Sequence, residues 1–223
     1  MNTAGNATTF CNTEPDMKPS PLPRKDITAV ILAGGRARRM HGADKGLVEL
    51  RGRPLVDYSI AGLRPQVDRI LVNANRNLAR YREFGYLLIA DSMEDYCGPL
   101  AGIASAMQAA GTPLLLTVPC DSPFLPARLL ETLYRAMTEA DADISVAHDG
   151  KRLQQMYALL HCTLLPDLQD YLDSGGRKVD SWYAQHRMAV ADFSSVADSF
   201  LNLNTPADMQ ALETRLAATQ AAR

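Results

Sequence analysis

The feature that most limits how this chain can fold is the recurrence of short apolar runs separated by helical stretches. "ITAVIL" (27–32), "RILVNAN" (69–75), "YLLIAD" (86–91), "PLLLTVPCD" (113–121) and "ADISVAH" (142–148) have the length and content of strands. "PLVDYSIAGL" (54–63) and "GPLAGIASAMQAA" (98–110) read as helices, as does the stretch from Pro126. There Leu129, Leu130, Leu133, Tyr134 and Met137 form one apolar stripe, with Pro126 suited to the first turn. Strands alternating with helices imply βαβ units, and hence an α/β fold with a mostly parallel central sheet flanked by helices on both faces.

After residue 150 the pattern changes to a strand-like "QQMYALLH" (154–161), a helical "LLPDLQDYL" (164–172) and a glycine-broken "DSGGRKVDSWYAQH" (173–186). "TPADMQALETRL", from Thr205, opens with a T-x-x-D cap and with Pro206 in the first turn. Without an internal repeat or a dividing linker, residues 27–218 read as one domain. Residues 1–26 are polar and proline-rich, lack the apolar core of a secretory signal, and read as a flexible tail.

The composition narrows the partners. With 223 residues, 47% hydrophobic and 22% charged, the chain has the make-up of a globular protein able to bury a full core. A net charge of −2 argues against a nucleic-acid-wrapping surface. No run approaches the ~18 apolar residues of a membrane span, so no membrane partner and a cytoplasmic location are expected. Cys11, Cys97, Cys120 and Cys162 make no C-x-x-C pair, and His161 beside Cys162 would point to the opposite face of a strand, so neither set reads as a metal site.

In α/β sheets ligands bind outside the carboxyl ends of the strands. The polar clusters of this chain fall there: the loop after Leu32, then Asn73, Asp91 and Asp121. In "AVILAGGRARRMHGADKG", Gly34 and Gly35 let backbone amides approach an anion, and Arg36, Arg38, Arg39 and Lys45 follow closely. The loop matches neither G-x-x-x-x-G-K-[ST] nor G-x-G-x-x-G, so neither a P-loop nor a dinucleotide fold is supported. A triphosphate needs such cations, which Arg39 and Lys45 are well placed to supply; a solvated basic loop fits the same residues. Asp121, between "LLLTVPC" and "SPFLP", suits a helix cap or, beside a phosphate site, a Mg²⁺ ligand. Asn73 and Asp91 suit turn caps or base and ribose recognition.

Taken together, "LAGGRARRMHGADKGLVEL", "LVNANR", "DSMEDYCGPLAGI" and "VPCDSPFLP" resemble the molybdenum cofactor guanylyltransferases, bacterial enzymes that join GMP to molybdopterin. The resemblance runs from about Thr28 to Leu212, with the motifs in family order and spacing. It implies a Rossmann-like nucleotidyltransferase fold, with a nucleotide-binding part at about 27–150 and a pterin-binding part at about 151–204. It further implies that Leu32, Ala33 and Gly34 contact the guanine nucleotide, with Gly35 and Arg39 near its phosphates. Lys45 matches the phosphate-binding lysine, Asn73 and Asp91 match nucleotide-binding positions, and Asp121 matches the magnesium aspartate. Gly98 to Gly102 would border the nucleotide pocket. The related cytidylyltransferases typically carry LAAG in place of "LAGG" and differ at "GPLAG", so both features favour guanine. "RLQQMYALL" lacks a proline present in some members.

The reaction implied is attack by the terminal phosphate of molybdopterin on the α-phosphorus of GTP, with pyrophosphate leaving and Asp121, Lys45 and Arg39 as catalytic residues. Mg²⁺ is the cofactor expected, with GTP and molybdopterin or the molybdenum cofactor as partners, along with cofactor-synthesis and acceptor molybdoenzyme proteins. The alternatives are a molybdopterin cytidylyltransferase, a sugar-phosphate nucleotidyltransferase, and a non-catalytic nucleotide or pterin carrier.

Overall fold

The computed structural model describes residues 22–33, 44–92, 98–203 and 205–221. In chain order these form β1 (Ile27–Leu32), β2 (Glu49–Leu50), β3 (Arg53–Pro54), α1 (Leu55–Leu63), β4 (Arg69–Asn73), α2 (Leu78–Arg82), β5 (Leu87–Ile89), α3 (Pro99–Ala110) and β6 (Leu114–Pro119). Then follow α4 (Leu129–Glu139), β7 (Ile144–His148), β8 (Leu153–His161), α5 (Leu165–Asp173), α6 (Val179–Tyr183), β9 (Met188–Asp192) and α7 (Pro206–Ala221). Seven strands make one sheet in the order β5-β4-β1-β6-β8-β7-β9, and β2 pairs with β3 in a small hairpin. Strands β5, β4, β1 and β6 run parallel, as do β7 and β9, while β8 runs antiparallel to both its neighbours.

The unbroken apolar run of β1 follows from its place at the centre of the parallel part, where both faces of the strand are covered. Ile27, Ala29 and Ile31 face one way, onto Val56, Ile60 and Leu63 of α1 and Leu129, Leu130 and Leu133 of α4. Val30 faces the other way, onto Leu100, Ile103 and Met107 of α3, where Leu168 and Leu172 of α5 and Trp182 of α6 continue the layer. The expected α/β sandwich with helices on both faces is therefore present. The alanines of α3 allow it to lie close on the sheet, since Ala101, Ala104, Ala106 and Ala110 are all buried.

Several elements differ from the sequence expectation for identifiable reasons. Helix α4 begins at Leu129 and not at Pro126, because the side chain of Gln66 acts as a substitute for the first turn. Gln66 Oε1 accepts from Leu130 N at 3.1 Å, and its Nε2 donates to Pro126 O at 3.0 Å. Helix α6 lies inside the glycine-broken stretch, and β9, α2 and the β2–β3 hairpin were not anticipated. Of the expected tail at 1–26, residues 1–21 lie outside the described residues. Residues Arg24–Asp26 form a 3-10 turn, and Leu22 packs on the core. No helix among the described residues is long and apolar enough to cross a membrane.

The cap read from "TPAD" is formed in both directions. Asp208 N donates to Thr205 Oγ1 at 3.1 Å, and Thr205 N donates to Asp208 Oδ2 at 2.8 Å. Thr205→Ala is expected to cost about 1 kcal/mol, the usual worth of such a cap. Urea unfolding should show a lower midpoint with an unchanged slope.

Candidate functional site

The site begins where the parallel strands stop. Leu32 at the end of β1 is level with Asn73 on β4 and Pro119 on β6, and Asn73 is level with Ile89 on β5. The ladder extends one step past these ends: Ala33 N donates to Asn73 O at 2.8 Å, Ala74 N to Ile89 O at 2.9 Å and Cys120 N to Leu32 O at 3.3 Å. Leu32, Ala33, Asn73, Asp91 and Asp121 thus emerge along one edge of the sheet. Gly34, Gly35, Arg36, Arg38 and Arg39 lie outside the described residues.

Lys45 Nζ donates to Asp121 Oδ2 at 2.9 Å, with the two side chains 22% and 12% exposed. The sequence places these residues far apart, and the fold joins them into one charged pair. Asp121 sits in the turn after β6, where its own carbonyl accepts from Leu203 N at 3.0 Å. Next to it, Ser122 Oγ donates to Asn202 Oδ1 at 2.6 Å, tying the segment before α7 to the same turn. Burial and the neighbouring Asp121 carboxylate push the Cys120 thiol up, so Cys120 packs here as a neutral thiol.

The turn that carries Lys45 is fixed from below. Asp44 is buried, accepting from Tyr81 Oη at 2.6 Å and from Asn77 Nδ2 at 3.0 Å. Lys45–Leu47 is a single 3-10 turn, closed by Leu47 N donating to Asp44 O at 3.0 Å.

At the far side of β1, Asp91 is gripped by two amides. Asn73 Nδ2 donates to Asp91 Oδ1 at 2.9 Å and Asn75 Nδ2 to Oδ2 at 2.7 Å, and Asp91 N returns a bond to Asn75 Oδ1 at 2.8 Å. Ser105 of α3 accepts from Ser92 N at 3.0 Å just beyond. Gly98 caps α3 at φ +79°, a conformation that suits glycine, with Pro99 at the first helical position. The first turn of α3 abuts Asn73, on which Gly102 packs closely.

Asp121 also lines a second space, a cleft of about 600 Å³ bordered by Arg152, Gln154, Met156, Tyr157 and Asn202. One wall is an irregularity in β8. Val146 pairs with Ala158 but Ala147 pairs with Gln154, so Gln155–Tyr157 bulge out of the ladder. Thr117 Oγ1 pins the bulge by donating to Met156 O at 2.9 Å, and Tyr183 Oη pins it by donating to Gln155 O at 3.1 Å. The preceding turn is built on Asp149, whose carboxylate accepts from Lys151 N and Arg152 N at 2.8 Å each and from Gln154 Nε2 at 2.7 Å. Burial alone would raise the Asp149 pKa, but these hydrogen bonds hold it at about 2.

Among the described residues no three His, Cys, Asp or Glu side chains converge as a metal cage. A single near-buried carboxylate such as Asp121 suits a hard cation that completes its shell with ligand oxygens and water. The sequence reading missed Asn75, Tyr81 and Asp44. Asn75 repeats Asn73 at the spacing that returns to the same side of an extended chain, a signal that could have flagged it. Tyr81 lies in a five-residue helix with no pattern of its own.

The MobA-like NTP transferase domain family model matches residues 29–189. The molybdenum cofactor guanylyltransferase of Shewanella sediminis is 50% identical over 191 residues, covering 86% of this chain and 97% of that protein. The protein of the same name from Shewanella loihica is 48% identical over the same shares. Among solved structures, the molybdopterin-guanine dinucleotide biosynthesis protein A of Archaeoglobus fulgidus superposes with a TM-score of 0.71 at 22% identity, covering 86% of this chain and 99% of that one. A nucleotidyl transferase from Methanothermobacter reaches 0.68 at 20% identity, covering 86% and 98%.

Gly102 tests how tightly this edge is packed. A Cβ built there would lie 2.5 Å from Asn73 Oδ1 and 3.2 Å from Leu32 Cδ2. In an ordinary helix interior Gly→Ala gains about 1 kcal/mol from propensity. Gly102→Ala is expected to reverse that sign and lower the melting temperature, because the added methyl must displace Asn73 from Asp91.

Proposed function

The chain belongs to the molybdenum cofactor guanylyltransferases of the MobA-like NTP transferase family, and from that premise we propose how its own residues transfer GMP from GTP to the terminal phosphate of molybdopterin. The observation that carries the reading is the Lys45–Asp121 pair at 2.9 Å, where Asp121 follows the end of β6 and also lines the cleft beside β8.

The guanine nucleotide lies across the ends of β1, β4 and β5, against Leu32, Ala33, Asn73, Asp91 and the Gly98 end of α3. Its triphosphate meets Lys45, with Gly35 and Arg39 assigned to the same anion, and Gly34 to the nucleotide beside Leu32 and Ala33, by the family resemblance. Molybdopterin occupies the cleft lined by Gln154, Met156 and Asn202, the C-terminal part of the chain. Asp121 stands between the two spaces.

The acceptor needs little activation. A phosphate monoester with a second pKa near 6 is largely dianionic at neutral pH, so no general base is required. Its oxygen forms a bond to the α-phosphorus as the bond from that phosphorus to the bridging oxygen breaks, and the electron pair leaves with pyrophosphate. The work left to the protein is to bring two anions together and to balance the charge that develops. Lys45 does this by exchanging the Asp121 carboxylate for phosphate oxygens.

The residues fit a magnesium ion, because Asp121 offers the one hard carboxylate oxygen that such a cation needs in company with phosphate oxygens. Asp121 would hold it, and it would supply charge neutralisation for the leaving pyrophosphate. The names of the relatives favour the guanylyl reaction over the cytidylyl, sugar-phosphate and carrier alternatives.

Asp121→Ala and Lys45→Ala are each expected to lower turnover by about 10² to 10³, the usual cost of one such electrostatic contact. Pyrophosphate release from GTP with molybdopterin, measured on variants of native circular dichroism, checks this. Near-normal release by folded Asp121→Ala would overturn the assignment of the metal. In competition among GTP, CTP and UTP, GTP should win, and preference for CTP would overturn the choice of base.

A further inference from the structure

Lys45 sits between two residues that both close on one phenol. On its N-terminal side, Tyr81 Oη donates to the buried Asp44 carboxylate at 2.6 Å. On its C-terminal side, Gly46 packs so tightly on the same hydroxyl that a Cβ there would lie 2.4 Å from Oη and 3.3 Å from Cζ. The Tyr81 ring is fully buried in the core that α1 and α4 share with the sheet, and it packs on Phe84 with ring centroids 6.3 Å apart. The hydroxyl is therefore a fixed point, and the main chain on both sides of the lysine is registered against it.

The arrangement answers a physical difficulty. A lysine side chain has about 2 kcal/mol of rotamer entropy and no fork to orient it. The 3-10 turn Lys45–Leu47 is too short to hold a direction by itself. Burial pushes the Tyr81 pKa up, so the phenol keeps its proton and remains a donor to Asp44. Asn77 satisfies the other Asp44 oxygen at 3.0 Å, so the carboxylate is braced from both sides.

We propose that Tyr81 is a positioning residue for the transfer reaction: its hydroxyl locks Asp44 and Gly46 and thereby aims Lys45 at the triphosphate. The proposal rests on the reading of Lys45 as the triphosphate-binding cation. Nucleotide binding is spread over the edge formed by β1, β4, β5 and α3, whereas the aim of one ammonium group matters most when charge shifts to the leaving pyrophosphate. The loss on removing the hydroxyl should therefore fall on kcat more than on KM for GTP.

The test is a double-mutant cycle on the full chain, using Tyr81→Phe, Lys45→Ala and the combination, with single-turnover pyrophosphate release and thermal melts. Folded Tyr81→Phe is expected to lose about 10- to 100-fold in kcat, the scale of a small misplacement of a reacting group, with KM for GTP changed less than about threefold. Added to Lys45→Ala, it should cost almost nothing further, because it acts through that lysine. A folded Tyr81→Phe enzyme with unchanged kcat overturns the proposal. So does an equal loss in the Lys45→Ala background, the outcome of a merely structural role. Should Tyr81→Phe fail to fold, Gly46→Ala, which crowds the hydroxyl from the other side, takes its place in the cycle with the same expectations. Near-normal turnover of Lys45→Ala alone would defeat the underlying reading of the lysine, a result distinct from an impaired Lys45→Ala beside an unaffected Tyr81→Phe.

Discussion

The level alignment of β1 with β4 and β6 is the constraint from which the rest of the molecule follows. Leu32 is paired in register with both Asn73 and Pro119. A slip of one residue would turn every side chain of β1 to the other face of the sheet, moving Ile27, Ala29 and Ile31 off α1 and α4. Core burial thus enforces the register. The same register decides that Ala33, Asn73, Asp91 and the Cys120–Asp121 turn arrive at a common edge. The chemistry needs no separate device to assemble these groups, because hydrophobic packing has already placed their main chains.

What packing alone does not supply is the direction of charged side chains at that edge, and there the protein uses polar contacts to side-chain and backbone donors. Asp91 is held by two asparagine amides, Asp44 by a phenol and an amide, and Asp149 by two backbone amides and Gln154. Each carboxylate has little freedom left. Held this way, a site need not reorganise when an anionic substrate arrives, which is where electrostatic stabilisation is most effective. Lys45 and Asp121 hold each other by opposite charge, and in the proposed reaction a triphosphate would take over the lysine while the buried Asp121 carboxylate turned to a cation.

Much of this was legible in the sequence, and the parts that were not share a cause. The central strands were readable because they are buried on both faces and so run apolar without interruption, as in "ITAVIL" and "LLLTV". Strand β9, "MAVAD", was missed because two of its inward positions are alanines, which carry weak strand preference. The start of α4 was misplaced because its first-turn partner is Gln66, distant in sequence. In the site, Asp121 and Lys45 were marked by their positions after strands and by family motifs. Tyr81 and Thr117 act through tertiary contacts alone, and no local spacing announces a phenol that reaches Asp44 or a threonine that pins a bulge.

In the proposed arrangement, the antiparallel strand β8 lets one sheet serve two substrates. Had β6 been followed by another parallel neighbour, a further strand end and its loop would have continued the nucleotide edge. Instead the neighbour begins where β6 ends, so its first residues, Leu153 to Tyr157, lie alongside Asp121. The bulge breaks the ladder with β7 at that point, while Thr117 and Tyr183 keep it from collapsing back into the sheet. In the proposed arrangement the donor side would thus be built from strand ends and the acceptor side from a strand beginning. Asp121 would occupy the seam between them, lining the cleft while it accepts from Lys45.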